Sequence, residues 1–189
     1  MDIDKIEAGI RLMLEGLGRD PKERSTRETA MLAARAWHDE LAVGYRMPEP
    51  EFHLFPVEEG QSRGLIALEG IPVKSICAHH LLPFVGEATV AYVPNTQLCG
   101  ISNLSRMVDF CARRLQVQES LTDEIARRID EQLEPQGVGV FIRARHDCMQ
   151  LRGVNHPGVM TTSVLTGSIR DDATLREEFM SLARKAATA

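Results

Sequence analysis

"GLIALEGIPVKSICAHHLLPFVGEATVAYVP", residues 64–94, decides the fold. Its flanks, "GLIALEGIPVKSI" and "FVGEATVAYVP", are β-rich with stretches of period two, the pattern of paired antiparallel strands. Between them the segment "SICAHHLLPF" carries Cys77, His79 and His80 on the expected turn. A free thiol beside two imidazoles is chemically costly, and packing alone rarely selects that set.

Helices are expected on both sides of this hairpin. On the N-terminal side, Ile3, Ile6, Ile10, Met13, Leu14 and Leu17 recur at helical spacing and stop at Gly18. A second helix, rich in Ala and Leu, is predicted from about Thr26 to Val43, with Trp37 packing as core. "MPEPEFHLFP" is broken by three prolines and reads as an extended connection, which divides a helical segment, 1–50, from a domain at 51–189. On the C-terminal side, "SNLSRMVDFCARRL" and "TDEIARRIDEQL" predict two helices capped by Ser102 and Thr122. "GVGVFIRARHDCMQL" and "GVMTTSVLTG" are strand-like, and a last helix starts near Asp172. Strands, a helical pair and strands again imply an α+β fold: an antiparallel ββααββ sheet with its helices on one face.

Composition narrows the function classes. A chain of 189 residues, 43% hydrophobic, can bury a core without disulfides. Its 27 acidic and 22 basic residues give a net charge of -5, which argues against nucleic-acid or polybasic membrane binding. No apolar run approaches a membrane span, and "MDIDKIEAGIRLML" has acids where a secretion signal carries bases, so a cytoplasmic location with reduced thiols is expected.

Cys77 and His80 are separated by two residues, as in the chelating turns of zinc sites. His146 and Cys148 lie two apart on an expected strand, where alternation points both to one face. Three readings follow: a closed structural zinc with four protein ligands, an open zinc with three ligands and spare histidines for proton transfer, or buried thiols and core histidines without metal. Cys99 and Cys111 read as core, and His38, His53 and His156 as surface or loop residues. Ser102 and Arg106 lie at a helix start, where an anion is favoured. Gln118 and Glu119, expected between two helices, can pair with the edge of a guanine-like ring, and Arg152 can meet a phosphate or solvent.

"CAHHLLPFVGEATVAYVP", "GISNLSRMVDFCARRLQVQESLT" and "HDCMQLRGV" together resemble the signature segments of GTP cyclohydrolase I, in the same order and at similar separations. The resemblance implies a tunnelling fold (T-fold) and a homo-oligomer, usually a decamer of two stacked pentamers, with sites between subunits. It implies Zn2+ on Cys77, His80 and Cys148, with His79 and His146 free for proton transfer. It also implies guanine held by Gln118 and Glu119, ribose and phosphate met by Ser102 and Arg106, and triphosphate met by Arg152. The reaction implied is hydrolysis of GTP at C8 to formate and 7,8-dihydroneopterin triphosphate, within pterin and tetrahydrofolate biosynthesis.

Two positions depart from the family pattern: Ala78 where Glu is usual, and Asn103 where Lys is usual. Loss of a lysine from a triphosphate contact weakens it by roughly 1–3 kcal/mol. The segment "DPKERSTRETAMLAAR" also lacks the Thr-Pro and following Arg common in the family's second helix. A paralogue acting on another guanine nucleotide and a non-catalytic pterin-binding oligomer are the alternatives.

Overall fold

The computed structural model describes residues 1–186. The chain opens with α1 (Ile3–Gly16) and α2 (Thr29–Arg35). Asp2 caps α1 by accepting from the Lys5 N–H. After α2 the chain widens into a π-helical turn over Ala36–Leu41, where the Ala42 N–H donates to the Trp37 carbonyl at 2.9 Å. Trp37 is only half-buried, short of the core position expected for it. The proline-rich connection is extended, as expected, and is tied down by α4 (Gln118–Leu133): Gln132 accepts from the Phe52 N–H and donates to the Pro50 carbonyl.

The hairpin forms where the period-two pattern placed it. β2 (Ile66–Cys77) and β3 (Pro83–Val93) are antiparallel, with Ile76 opposite Pro83 at the turn. A register shift between Leu68 and Ile71 is absorbed at Gly70, whose φ is 66°. β6 (Gly137–His146) and β7 (Val159–Leu165) extend the sheet antiparallel on the β3 side. Two-residue β5 (Leu115–Gln116) joins β2 in parallel, giving the order β5-β2-β3-β6-β7. A separate pair, β1 (Leu54–Pro56) and β4 (Gln97–Cys99), closes the connection against the domain.

Alternation along the strands builds two apolar layers. Val73, Phe84, Ala88, Val90, Val140 and Ile142 face α3 (Ile101–Ala112) and α4, the helical pair on one face. Cys111 belongs to this layer, as expected, and so does Cys99. Ala91, Val93 and Phe141 face the other way, where Phe179 and Ala183 of α7 (Ala173–Ala186) cover them after the short α6 (Gly167–Asp171). Asp172 caps α7, accepting from the N–H groups of Thr174 and Leu175. Gly86 on β3 lies so close to β6 that a Cβ there would stand 2.0 Å from the Arg143 carbonyl oxygen.

Both cap expectations for the central pair are corrected. α3 is capped by Gly100, with Ser102 inside its first turn. α4 begins at Gln118, so Gln118 and Glu119 form its first turn instead of a loop. Thr122 lies a turn further in, its hydroxyl donating to the Gln118 carbonyl at 2.7 Å.

Candidate metal centre and active site

The β2–β3 turn is built by its own backbone. The Cys77 N–H donates to the Leu82 carbonyl at 2.8 Å, and the Leu81 N–H returns to the Cys77 carbonyl at 2.9 Å. Leu81 adopts a left-handed conformation, φ 55°, uncommon for a side chain of its size. β5 holds the same turn from outside, because the Ala78 N–H donates to the Gln116 carbonyl. The Gln116 amide donates in turn to Ser75 Oγ and to the carbonyls of Cys111 and Ala112.

Cys77 Sγ and His80 Nδ1 are 3.6 Å apart. Tetrahedral coordination with Zn–S of about 2.3 Å and Zn–N of about 2.1 Å sets an S···N edge of about 3.6 Å. The third member is Cys148, which is carried by α5 (Asp147–Gln150), a single helical turn following β6. The strand ends at His146, so the expectation that His146 and Cys148 alternate on one strand is corrected: the turn sends them to different neighbours. The ligand atoms of Cys77, His80 and Cys148 lie within 4.8 Å of one another, and no fourth Cys, His, Asp or Glu joins that group among the described residues. Two thiols and one imidazole fit a borderline-soft cation with an open fourth position. Burial and the Cys77 thiol raise the Cys148 pKa, while Arg152 lowers it.

His146 stands beside the trio in a different environment. It is 8% exposed, and its ring lies flat on Phe84, with centroids 4.5 Å apart and planes at 8°. Its Nε2 is 2.9 Å from Gln118 Oε1. Burial holds its pKa below the ordinary imidazole value, opposed by the charges of Glu119 and Asp147. His79 is exposed on the turn, edge-on to His80 with centroids 6.1 Å apart.

The remaining expected contacts divide. Glu119 is exposed on the first turn of α4, and its charge reaches His146. Arg152 is exposed, and its charge reaches Cys148. Gln118 is fully buried with its amide committed inside the fold, so that side chain is withdrawn from the guanine contact expected of it. Arg106 is exposed and lines a cleft with Met47, Glu49, Pro72 and Lys74, a set that includes none of the trio. Ser102 is exposed on the first turn of α3. Asn103 turns inward, 2% exposed, with its Nδ2 3.4 Å from the His53 carbonyl. Sequence reasoning missed Phe84 as the stacking partner of His146, although Phe84 sits seven residues past Cys77 on the strand leaving the turn.

Comparison with known proteins adds three matches. A family model described as GTP cyclohydrolase I matches residues 6–184. The GTP cyclohydrolase 1 of Hydrogenobaculum sp. (strain Y04AAS1) is 43% identical over 187 residues, covering 98% of this chain and 100% of that protein. The GTP cyclohydrolase 1 of Aquifex aeolicus (strain VF5) is 43% identical over 185 residues, covering 97% of this chain and 98% of that protein.

Proposed function

Because the chain belongs to the GTP cyclohydrolase I family, we propose that it hydrolyses GTP at C8, giving formate and 7,8-dihydroneopterin triphosphate. The observation that carries this reading is the open trio of Cys77, His80 and Cys148 with a buried, oriented His146 beside it. A closed structural zinc needs a fourth protein ligand, and a binding module has no need of an oriented imidazole next to three metal donors. Identity of 43% over almost the whole length also disfavours the divergent paralogue.

Cys77, His80 and Cys148 would hold the metal, and the donor set favours zinc. When bound, zinc supplies a Lewis acid that lowers the pKa of water toward neutrality. Glu119 accepts from two N–H groups on the guanine edge, which fixes the purine relative to the trio. His146 exchanges a proton with the ring nitrogen next to C8: the protonated ring gives its proton as the C8–N bond opens, and burial, which holds its pKa below the ordinary imidazole value, makes it the stronger acid for that step. His79, exposed on the turn, is the acid-base partner for the sugar. Arg152 neutralises phosphate charge on the Cys148 side. Ser102 and Arg106 act on ribose and phosphate, and the inward turn of Asn103 leaves the triphosphate to arginines.

The cleft lined by Arg106 includes none of the trio, which supports a homo-oligomer, a decamer in this reading, in which one subunit's α3 completes the substrate site beside another's trio. Residues 1–50 then serve as a helical segment attached to the catalytic domain at 51–189. The same reading puts the enzyme in the cytoplasm, and no helix among the described residues is long and apolar enough to cross a membrane. Chelation tests the metal's part. Formate release from GTP is expected to stop when the protein is stripped and to return with added Zn2+; full activity in the stripped protein contradicts the proposal.

A further inference from the structure

Gln118 was expected at the substrate, and the fold gives its side chain another task. The amide Nε2 has three neighbours: the carbonyl oxygens of Ile142 and Met160, each at 3.2 Å, and Thr162 Oγ1 at 3.1 Å. Carbonyl oxygens only accept hydrogen bonds, so these contacts decide which end of the amide is the NH2. A flipped amide would set its own oxygen against two carbonyls. The hydroxyls agree with this assignment. Thr122 donates to the Gln118 carbonyl at 2.7 Å, so across the 2.6 Å contact Thr162 donates to Thr122 and stays free to accept from Gln118. The two amide protons are shared among three acceptors, and no contact sets two donors or two acceptors face to face.

The consequence reaches His146. The atom 2.9 Å from its Nε2 is an amide oxygen, which has no hydrogen to give, so Nε2 must carry one. Phe84, stacked at 8°, keeps the ring plane from turning. We propose that Gln118 is a positioning residue that holds His146 as its Nε2–H tautomer, making Nδ1 the nitrogen that exchanges protons with substrate. Nδ1 makes no hydrogen bond among the described residues. The bond to Gln118 persists whether His146 is neutral or protonated, because Nε2 is a donor in both states. A proton therefore arrives at Nδ1 and leaves it without any turn of the ring or loss of a buried bond. The part concerning substrate rests on the proposed cyclohydrolase reaction; the tautomer does not.

Magic-angle-spinning NMR of zinc-loaded protein with 15N-labelled histidine reads the tautomer directly, with the His146 signals assigned by their loss in His146→Gln. The expected spectrum has a protonated Nε2 and a bare Nδ1 while the ring is neutral. The reverse pattern overturns the inference whatever the protein's activity, whereas absence of GTP turnover with the expected spectrum removes only the functional reading. Gln118→Met removes the acceptor at similar length. Folded Gln118→Met is expected to mix both tautomers and to lose about 100-fold in kcat, the lower end of a general acid's contribution. Zinc content is expected to stay stoichiometric, with KM within about threefold of the parent, since the lost interaction serves the chemical step. Mixed tautomers with unchanged kcat overturn the positioning role. Should Gln118→Met fail to fold, the spectrum of the unaltered protein still decides between the two tautomers.

Discussion

His146 and Cys148 are two positions apart, yet one turns toward Gln118 and the other toward Cys77 and His80. Their substitutions should separate accordingly. Cys148→Ala is expected to lose zinc and turnover together, while His146→Ala keeps stoichiometric zinc and loses turnover by about 10²- to 10⁴-fold. Metal analysis beside a formate assay checks this, and equal zinc loss in both variants would make His146 a ligand. The thiols outside the site differ again. Burial, with Glu124 adding to it, pushes the Cys111 pKa up to about 12, and burial raises Cys99 as well. Cys111 then carries almost no thiolate at pH 8 and Cys99 less than a free thiol, and both are buried, so both should resist iodoacetamide at pH 8 in the native protein and react once it is unfolded. Mass spectrometry of labelled peptides reads the outcome; rapid native labelling of Cys111 would contradict its burial. These residue classes were legible in the sequence because Cys77 and His80 carry a ligand spacing, whereas Cys99 and Cys111 have no histidine near them. The interior task of Gln118 was not legible, because its partners Ile142, Met160 and Thr162 are brought to it only by β6 and β7.

At the scale of elements, the hairpin that presents the site depends on close strand approach. Gly86 pairs across to Ala144 on β6, with no room for a methyl group beside the Arg143 carbonyl. Gly86→Ala should therefore destabilise the fold by about 3 kcal/mol or more, since backbone atoms cannot yield as a flexible side chain can. A denaturant midpoint measures this, and a change below about 1 kcal/mol would show that the strands part easily. The β2–β3 hairpin and the central helices were readable from periodicity alone. The starts of α3 and α4 were harder, because Ser102 and Thr122 are good capping residues that the fold places inside helices. α5 was missed for a related reason: four residues are too few for a periodic signal, although that turn separates Cys148 from His146. β5 is shorter still, and it forms because Gln116 pairs with Cys77 at the start of the β2–β3 turn.

For the whole molecule, the proposed division of one site between subunits predicts complementation. Cys148→Ala removes the metal from its own chain, and Arg106→Ala removes an anion contact from the neighbour's cleft. Each variant alone should be inactive or nearly so, while co-expressed mixed oligomers should recover activity at sites that combine the two intact halves. No recovery from mixed oligomers shown to be assembled would place the whole site within one chain. The central claim is the reaction itself, and its most direct test is product release from GTP by zinc-replete protein, with GMP and guanosine run in parallel. Release of formate and 7,8-dihydroneopterin triphosphate from GTP, in clear preference to the other two, is the predicted result. Absence of both products from GTP, with zinc bound in full, would contradict the account.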